Sequence, residues 1–200
     1  MAKIATIFAS CKISAIGLRW RAGRALSAAS LAALALGGAL AARAQAAHTI
    51  SWGSGLQSPP TRSLSAPVDA AYWQQALAPR SGQIVAVTLW GRVVGGQPTV
   101  LFQDLRRTGG GSVKVISTTQ PFRLTGTRAK RTFHPVNFFV HKGDHVGLAT
   151  IGGTYEVFAA APGSSVEGFV GAGRDMNGSR FTGTRHAGLE LLQRMTERVG

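Results

Sequence analysis

Cysteine is almost absent from this chain. The one cysteine, Cys11, falls within the first 46 residues, so residues 47–200 carry no thiol. That part has no disulfide, no thiol nucleophile and no thiolate metal ligand. Acidic residues are also scarce: eight Asp and Glu stand against 22 Lys and Arg. Glycoside hydrolysis by two facing carboxylates therefore has few residues to draw on, and Glu156 and Glu167 are the pair to consider, on neighbouring strands. Motifs for other chemistries are missing. No Gly-x-Ser-x-Gly elbow occurs, and Gly163-Ser164-Ser165-Val166-Glu167-Gly168 reads as a loop entering a strand. There is no phosphate-binding Gly-rich motif with Lys-Ser/Thr and no double-His motif with a nearby Glu. No cofactor is implied. These absences weigh against an enzyme without excluding one.

What is present begins with an export pattern. Residues 1–46 contain Lys3, Lys12, Arg19, Arg21 and Arg24 and no acid, then an Ala/Leu/Ser/Gly run from Ala25 to Ala42, then Ala44-Gln45-Ala46. A basic start, an apolar middle and a small-x-small exit form a secretory signal. A membrane-spanning helix needs about 20 strongly apolar residues, whereas this run is diluted and broken at Gly37-Gly38. Cleavage after Ala46 is expected, with no stable membrane span afterwards and a secreted or cell-envelope location. Of the 22 basic residues, 16 lie beyond Ala46 together with all eight acids, so the mature part carries a net charge of about +8 with neutral histidines. Its 154 remaining residues suffice for one domain with a core. A basic exported protein meets anionic envelope polymers more readily than nucleic acid, and no nucleic-acid motif is present.

Residues 47–80 read as an irregular segment packing on the core. Ser58-Pro59-Pro60 blocks regular structure, and Asp69 to Leu77 fits either a short helix or an edge strand. From residue 81 to 200 the pattern is a series of short strands: Ile84–Trp90, Thr99–Arg106, Ser112–Thr119, Phe122–Thr125, Arg131–Val140, Asp144–Ile151, Thr154–Ala160 and Val166–Val170. Within Thr99–Arg106, Val100, Phe102 and Asp104 share one face. Short alternating runs bounded by Gly, Pro or Asn-Gly indicate an all-β antiparallel β-sandwich, jelly-roll-like. Residues 188–199 alternate as a closing strand, although their composition also suits a helix.

Val140-His141-Lys142-Gly143-Asp144-His145-Val146-Gly147-Leu148 has the form apolar-x-Lys-Gly-Asp-x-Val-x-Leu. Gly143 supplies positive φ, Asp144 is placed to bond the turn backbone, and Val140, Val146 and Leu148 anchor the strands. With Ala66-Pro67-Val68-Asp69, the Gly82–Trp90 strand and Leu189-Glu190-Leu191-Leu192, the layout resembles secreted bacterial β-sandwich proteins of unknown function. The resemblance implies a fold, a compartment and a final segment that closes the sandwich as a strand. It implies no catalytic residue and no ligand.

Three sets of residues are candidates for function. His134, His141 and His145, beside Asp144, carry donors suited to zinc or copper. Trp52, Trp73 and Tyr155 would stack on sugar rings if flat and exposed, whereas Trp90 ends an apolar strand and belongs to the core. Arg106, Arg107, Lys130 and Arg131 would form one anion-binding face if their strands come together. Asp175-Met176-Asn177-Gly178-Ser179 has the opening of a calcium loop but lacks the acidic ligand at position twelve, where His186 stands; an Asn-Gly turn explains it equally. The expected function is non-catalytic: binding an anionic or sugar-containing envelope polymer, or structural work with self-association. The alternative is a secreted hydrolase or metal-binding protein using the His141/Asp144/His145 region.

Overall fold

The computed structural model describes residues 48–61, 69–171 and 176–200, and the proposed signal segment lies outside them. The longest element is β3 (Gly82–Gly109), which joins two of the expected strands into one. Its first half is Ile84–Trp90 and its second Thr99–Arg106. Between them the chain bends at Gly95-Gly96-Gln97-Pro98, where the pairing register shifts twice. Pro98 cannot donate to a ladder, and Gly96 has φ +68°. A Cβ on Gly96 would stand 2.8 Å from the Gly152 carbonyl oxygen, and one on Gly153 would stand 2.7 Å from that of Gly95. Only glycines at 96 and 153 let the two paired backbones approach this closely. The same approach keeps β8 (His145–Glu156) continuous through Gly152-Gly153, where the sequence suggested a break.

The bend allows β3 to serve two leaves of one antiparallel sheet. Its first half pairs with β12 (Gln193–Val199) on one side and with β6 (Ala129–Phe133) and β7 (Phe139–Val140) on the other. β1 (His48–Gly53) adds to the free side of β12. The second half pairs with β8 and, opposite, with β4 (Ser112–Thr118) and β5 (Phe122–Arg123). Beyond β8 come β2 (Ala70–Gln74), β9 (Phe158–Val170) and β11 (Thr184–Leu191). β10 (Arg180–Thr182) pairs with β4. The all-β antiparallel class expected from the sequence is what the chain adopts.

Several local expectations change. The described residues between 47 and 80, expected to be irregular, contain two strands, β1 and β2. β2 is neither helix nor edge: it sits between β8 and β9, and all five of its residues are buried. The C-terminal residues are strand, as expected, but as the end of β11 and then β12. Leu192 lies between them, its backbone N–H bonded to the Val157 carbonyl.

One large core joins the leaves. Ile84, Val87, Leu89 and Met195 come from the first leaf, and Val100, Phe102, Leu148, Phe158 and Val166 from the second. Phe102, Phe122 and Phe133 pack pairwise with centroids 5.2–5.9 Å apart, a distance at which tilted rings attract. The outer face of the second leaf is covered too. Trp73, Leu105, Val113, Val115 and Phe181 form a separate buried cluster there. Both faces of β2 are therefore enclosed, which explains its unbroken burial.

Candidate functional site

Expectations about the Lys-Gly-Asp turn hold for the backbone. Gly143 has φ +88°, and Val140, Val146 and Leu148 are buried. The turn is tied down by the Asp144 N–H on the His141 carbonyl (3.0 Å), and by the Ala78 and Gly143 N–H groups on the Asp144 and Ala78 carbonyls. The Asp144 carboxylate does not bond the turn. It accepts from Arg106, with Nη2 to Oδ2 at 2.9 Å and Nε at 3.2 and 3.3 Å from the two oxygens. That hydrogen bond raises the Arg106 guanidinium above its ordinary value, against the opposing effect of desolvation.

Beside this pair lies Asp104. It follows Val100 and Phe102 on the core-facing side of β3, and its side chain is 1 % exposed. Neither oxygen of the ionised carboxylate accepts a hydrogen bond; the protonated form shares its proton with the Asp144 carboxylate. Burial, followed by the charge of Asp144, pushes the Asp104 carboxyl up to about 7. His141 hangs over both acids from the turn. Its Nδ1 is 3.9 Å from Asp104 Oδ2 and 3.8 Å from Asp144 Oδ2, and its side chain is 62 % exposed. One donor atom from each of Asp104, Asp144 and His141 lies within 4.8 Å of the others.

The other two histidines proposed as metal ligands are elsewhere. His145 is fully buried. Its Nδ1 donates to the Ala76 carbonyl (3.2 Å), which leaves Nε2 to accept from Arg107 Nε (2.8 Å). Desolvation, then Arg107, lowers its pKa, so the ring is neutral and both nitrogens are used. His141 Nδ1 lies by Asp104 and Asp144, whereas the His145 ring is held between Ala76 and Arg107, so the two histidines share no donor cluster. His134 is bound to the Val85 carbonyl through Nδ1 (3.0 Å) at the edge of the first leaf. The three-histidine set does not assemble.

The aromatic platform does not assemble either. Trp73 is 1 % exposed and packs on Phe181. Tyr155 is 5 % exposed, lies against Gly91, and has its hydroxyl pushed up to about 12 by burial. Trp52 is half-buried against the core and donates from Nε1 to Glu197 (2.9 Å). These rings have been spent on packing. Trp90, expected in the core, is half-buried and carries Lys130 over its ring at 4.3 Å.

Arg106 and Arg107 do not share one face with Lys130 and Arg131. β6 pairs with the first half of β3, while Arg106 and Arg107 lie on the second half beside β4 and β8. Arg106 and Arg107 are themselves divided, one on Asp144 and the other on His145. The Glu156/Glu167 pair is also separated. β2 lies between their strands, and Glu156 is taken by Arg92. Asn177-Gly178 forms a turn before β10, with the Ser179 N–H on the Met176 carbonyl; Asp175 lies outside the described residues.

Charge is sorted by depth. Of the 14 described Lys and Arg side chains, 11 are exposed, while all seven described Asp and Glu side chains are buried or half-buried. Every exposed charged Lys, Arg, Asp or Glu side chain among the described residues is thus a cation. Only Arg92 and Arg106 of these form an ion pair with a described carboxylate.

Asp104 is the residue that sequence reasoning passed over. Its signal was available: a carboxylate continuing the Val100/Phe102 face marks a buried polar group, which is more informative than an exposed one. Comparison of the chain with protein-family models, curated proteins and solved structures finds no match.

Proposed function

We propose that this is an exported, non-catalytic binding domain for an anionic glycan of the cell envelope, working after removal of residues 1–46. The observation that carries the reading is the sorting of charge: exposed Lys and Arg with no exposed Asp or Glu among the described residues. Such a surface attracts polyanions at low salt, and the attraction falls as ions screen it. Burial of Trp73 and Tyr155 removes support for stacking on neutral sugars. The reading is therefore narrower than a general sugar-binding role, and it includes the sandwich fold and the extracytoplasmic location expected from the sequence.

Heparin serves as the anionic glycan probe and dextran as the neutral one. Heparin binding is expected at 50 mM salt and should weaken at least about tenfold by 200 mM. Arg123→Glu/Arg128→Glu, two exposed positions whose side chains make no ion pair or hydrogen bond among the described residues, should weaken it further without changing thermal stability. Equal retention on dextran, or heparin binding that salt leaves unchanged, sinks the idea. Stronger binding to DNA than to heparin would redirect it to nucleic acid.

A further inference from the structure

We propose that Asp104, Asp144 and His141 form a site for a divalent transition-metal cation, with zinc as the type ion. The site is independent of the charged surface invoked above.

Asp104 carries the argument. An isolated buried carboxylate with no hydrogen-bond partner is costly unless something compensates it. This one is 1 % exposed, accepts from no donor group, has only the like-charged Asp144 carboxyl to share a proton with, and lies 3.9 Å from the Nδ1 of His141. Arg106 neutralises Asp144 but makes no hydrogen bond to Asp104. A cation among the three donors would complete the coordination of Asp104 and balance the second carboxylate.

The donor set selects the class of ion. One imidazole nitrogen and two carboxylate oxygens suit zinc and its neighbours, whereas calcium takes six to eight oxygens. Tetrahedral zinc at about 2.1 Å from each donor puts donors about 3.4 Å apart. The two separations from His141, 3.9 and 3.8 Å, exceed that by a few tenths of an ångström, and all three donors lie within 4.8 Å of one another, so ion binding also draws the two carboxylates together. The exposed His141 side chain, on a turn tip after β7, is the part able to close that gap. His141 also borders an open groove of about 410 Å³ with Ser81, Gln83, Phe139 and Arg198. Solvent on that side can supply the fourth ligand, as in sites with three protein donors.

The test uses the full, untagged chain, stripped with a chelator and titrated calorimetrically with zinc chloride at pH 7.5. One zinc per chain is expected, at micromolar affinity or tighter. Cobalt(II) should give the visible absorption of a four-coordinate N/O site. His141→Ala changes an exposed side chain and should weaken zinc at least tenfold with the fold intact by circular dichroism. Asp104→Asn, close to isosteric, should do the same. Absence of saturable zinc binding overturns the proposal, as does retained affinity in either variant; the latter outcome would assign the zinc to surface histidines such as His134.

Discussion

Replacing Trp73 with alanine should lower the stability of the domain by about 3–5 kcal/mol, the usual cost of deleting a buried aromatic side chain. Trp73 is the largest fully buried side chain among the described residues. It sits on β2 in the middle of the second leaf, with Phe181 at 5.7 Å between centroids and Gly183 directly beneath the indole. A Cβ at Gly183 would stand 2.5 Å from Trp73 Cη2. Phe181 and Gly183 therefore pack directly on this ring, with Met176 and Phe169 at the margin of the same cluster. Chemical denaturation measures the loss. Heparin binding by the folded fraction should be unchanged, because the indole is not at the surface. A loss below about 1 kcal/mol would contradict the enclosed position. Gly183→Ala should destabilise by overpacking, typically about 1–3 kcal/mol. Its effect should not add to that of Trp73→Ala, since the two residues touch.

Asp104→Asn should make the metal-free domain more stable at pH 8 and leave it nearly unchanged at pH 4. Asp104 titrates near 7 in the folded chain, against about 4 in an unfolded one. Between those values the folded state holds a proton that the unfolded state has released, so this group's contribution to stability falls as pH rises. It is fully present below about pH 4 and lost through pH 7. His141 is the titratable neighbour and Asp144 and Arg106 are the charged groups facing it; repulsion from Asp144 adds to the effect and attraction by Arg106 reduces it. Asparagine keeps the shape of the protonated acid and does not ionise. The gain at pH 8 should reach at least about 2 kcal/mol, since each pKa unit is worth about 1.4 kcal/mol. His145 works in the opposite sense. Its lowered pKa means that stability falls when pH drops below about 6.5, where the unfolded histidine takes a proton. The difference between variant and wild type, in chelator, isolates Asp104 from that background. A difference that stays flat from pH 4 to pH 8 would show that Asp104 is not titrating in this window.

Much of the fold could be read along the chain. Period-2 runs between Gly and Pro identified most strands, and Lys142-Gly143-Asp144 identified the β7–β8 turn. What escaped was continuity and depth. Gly95-Gly96 and Gly152-Gly153 each look like a break in one dimension, yet Gly96 and Gly153 permit the close pairing that keeps β3 and β8 whole. Residues 70–74 resemble an edge or a helical turn because alanine, tyrosine and glutamine alternate poorly. That irregularity is what a strand enclosed on both faces allows.

The candidate site divides along the same line. His141 and Asp144 were found because they are three residues apart on a recognisable turn. Asp104 was not joined to them, because its approach depends on β3 pairing with β8 across 40 positions of sequence. Arg106 and Arg107 looked like one cationic patch, but adjacent strand residues face opposite ways, and the structure sends them to different partners.

By itself, the sequence determines an all-β class from its short alternating runs, a thiol-free domain beyond residue 46, and an excess of Arg over acid. Only the tertiary structure decided where that charge would stand. Carboxylates were drawn into the interior beside Arg92, Arg106 and Trp52, and cations were left outside. Alternation assigns a side chain to a face, but pairing between distant strands decides whether that face is covered.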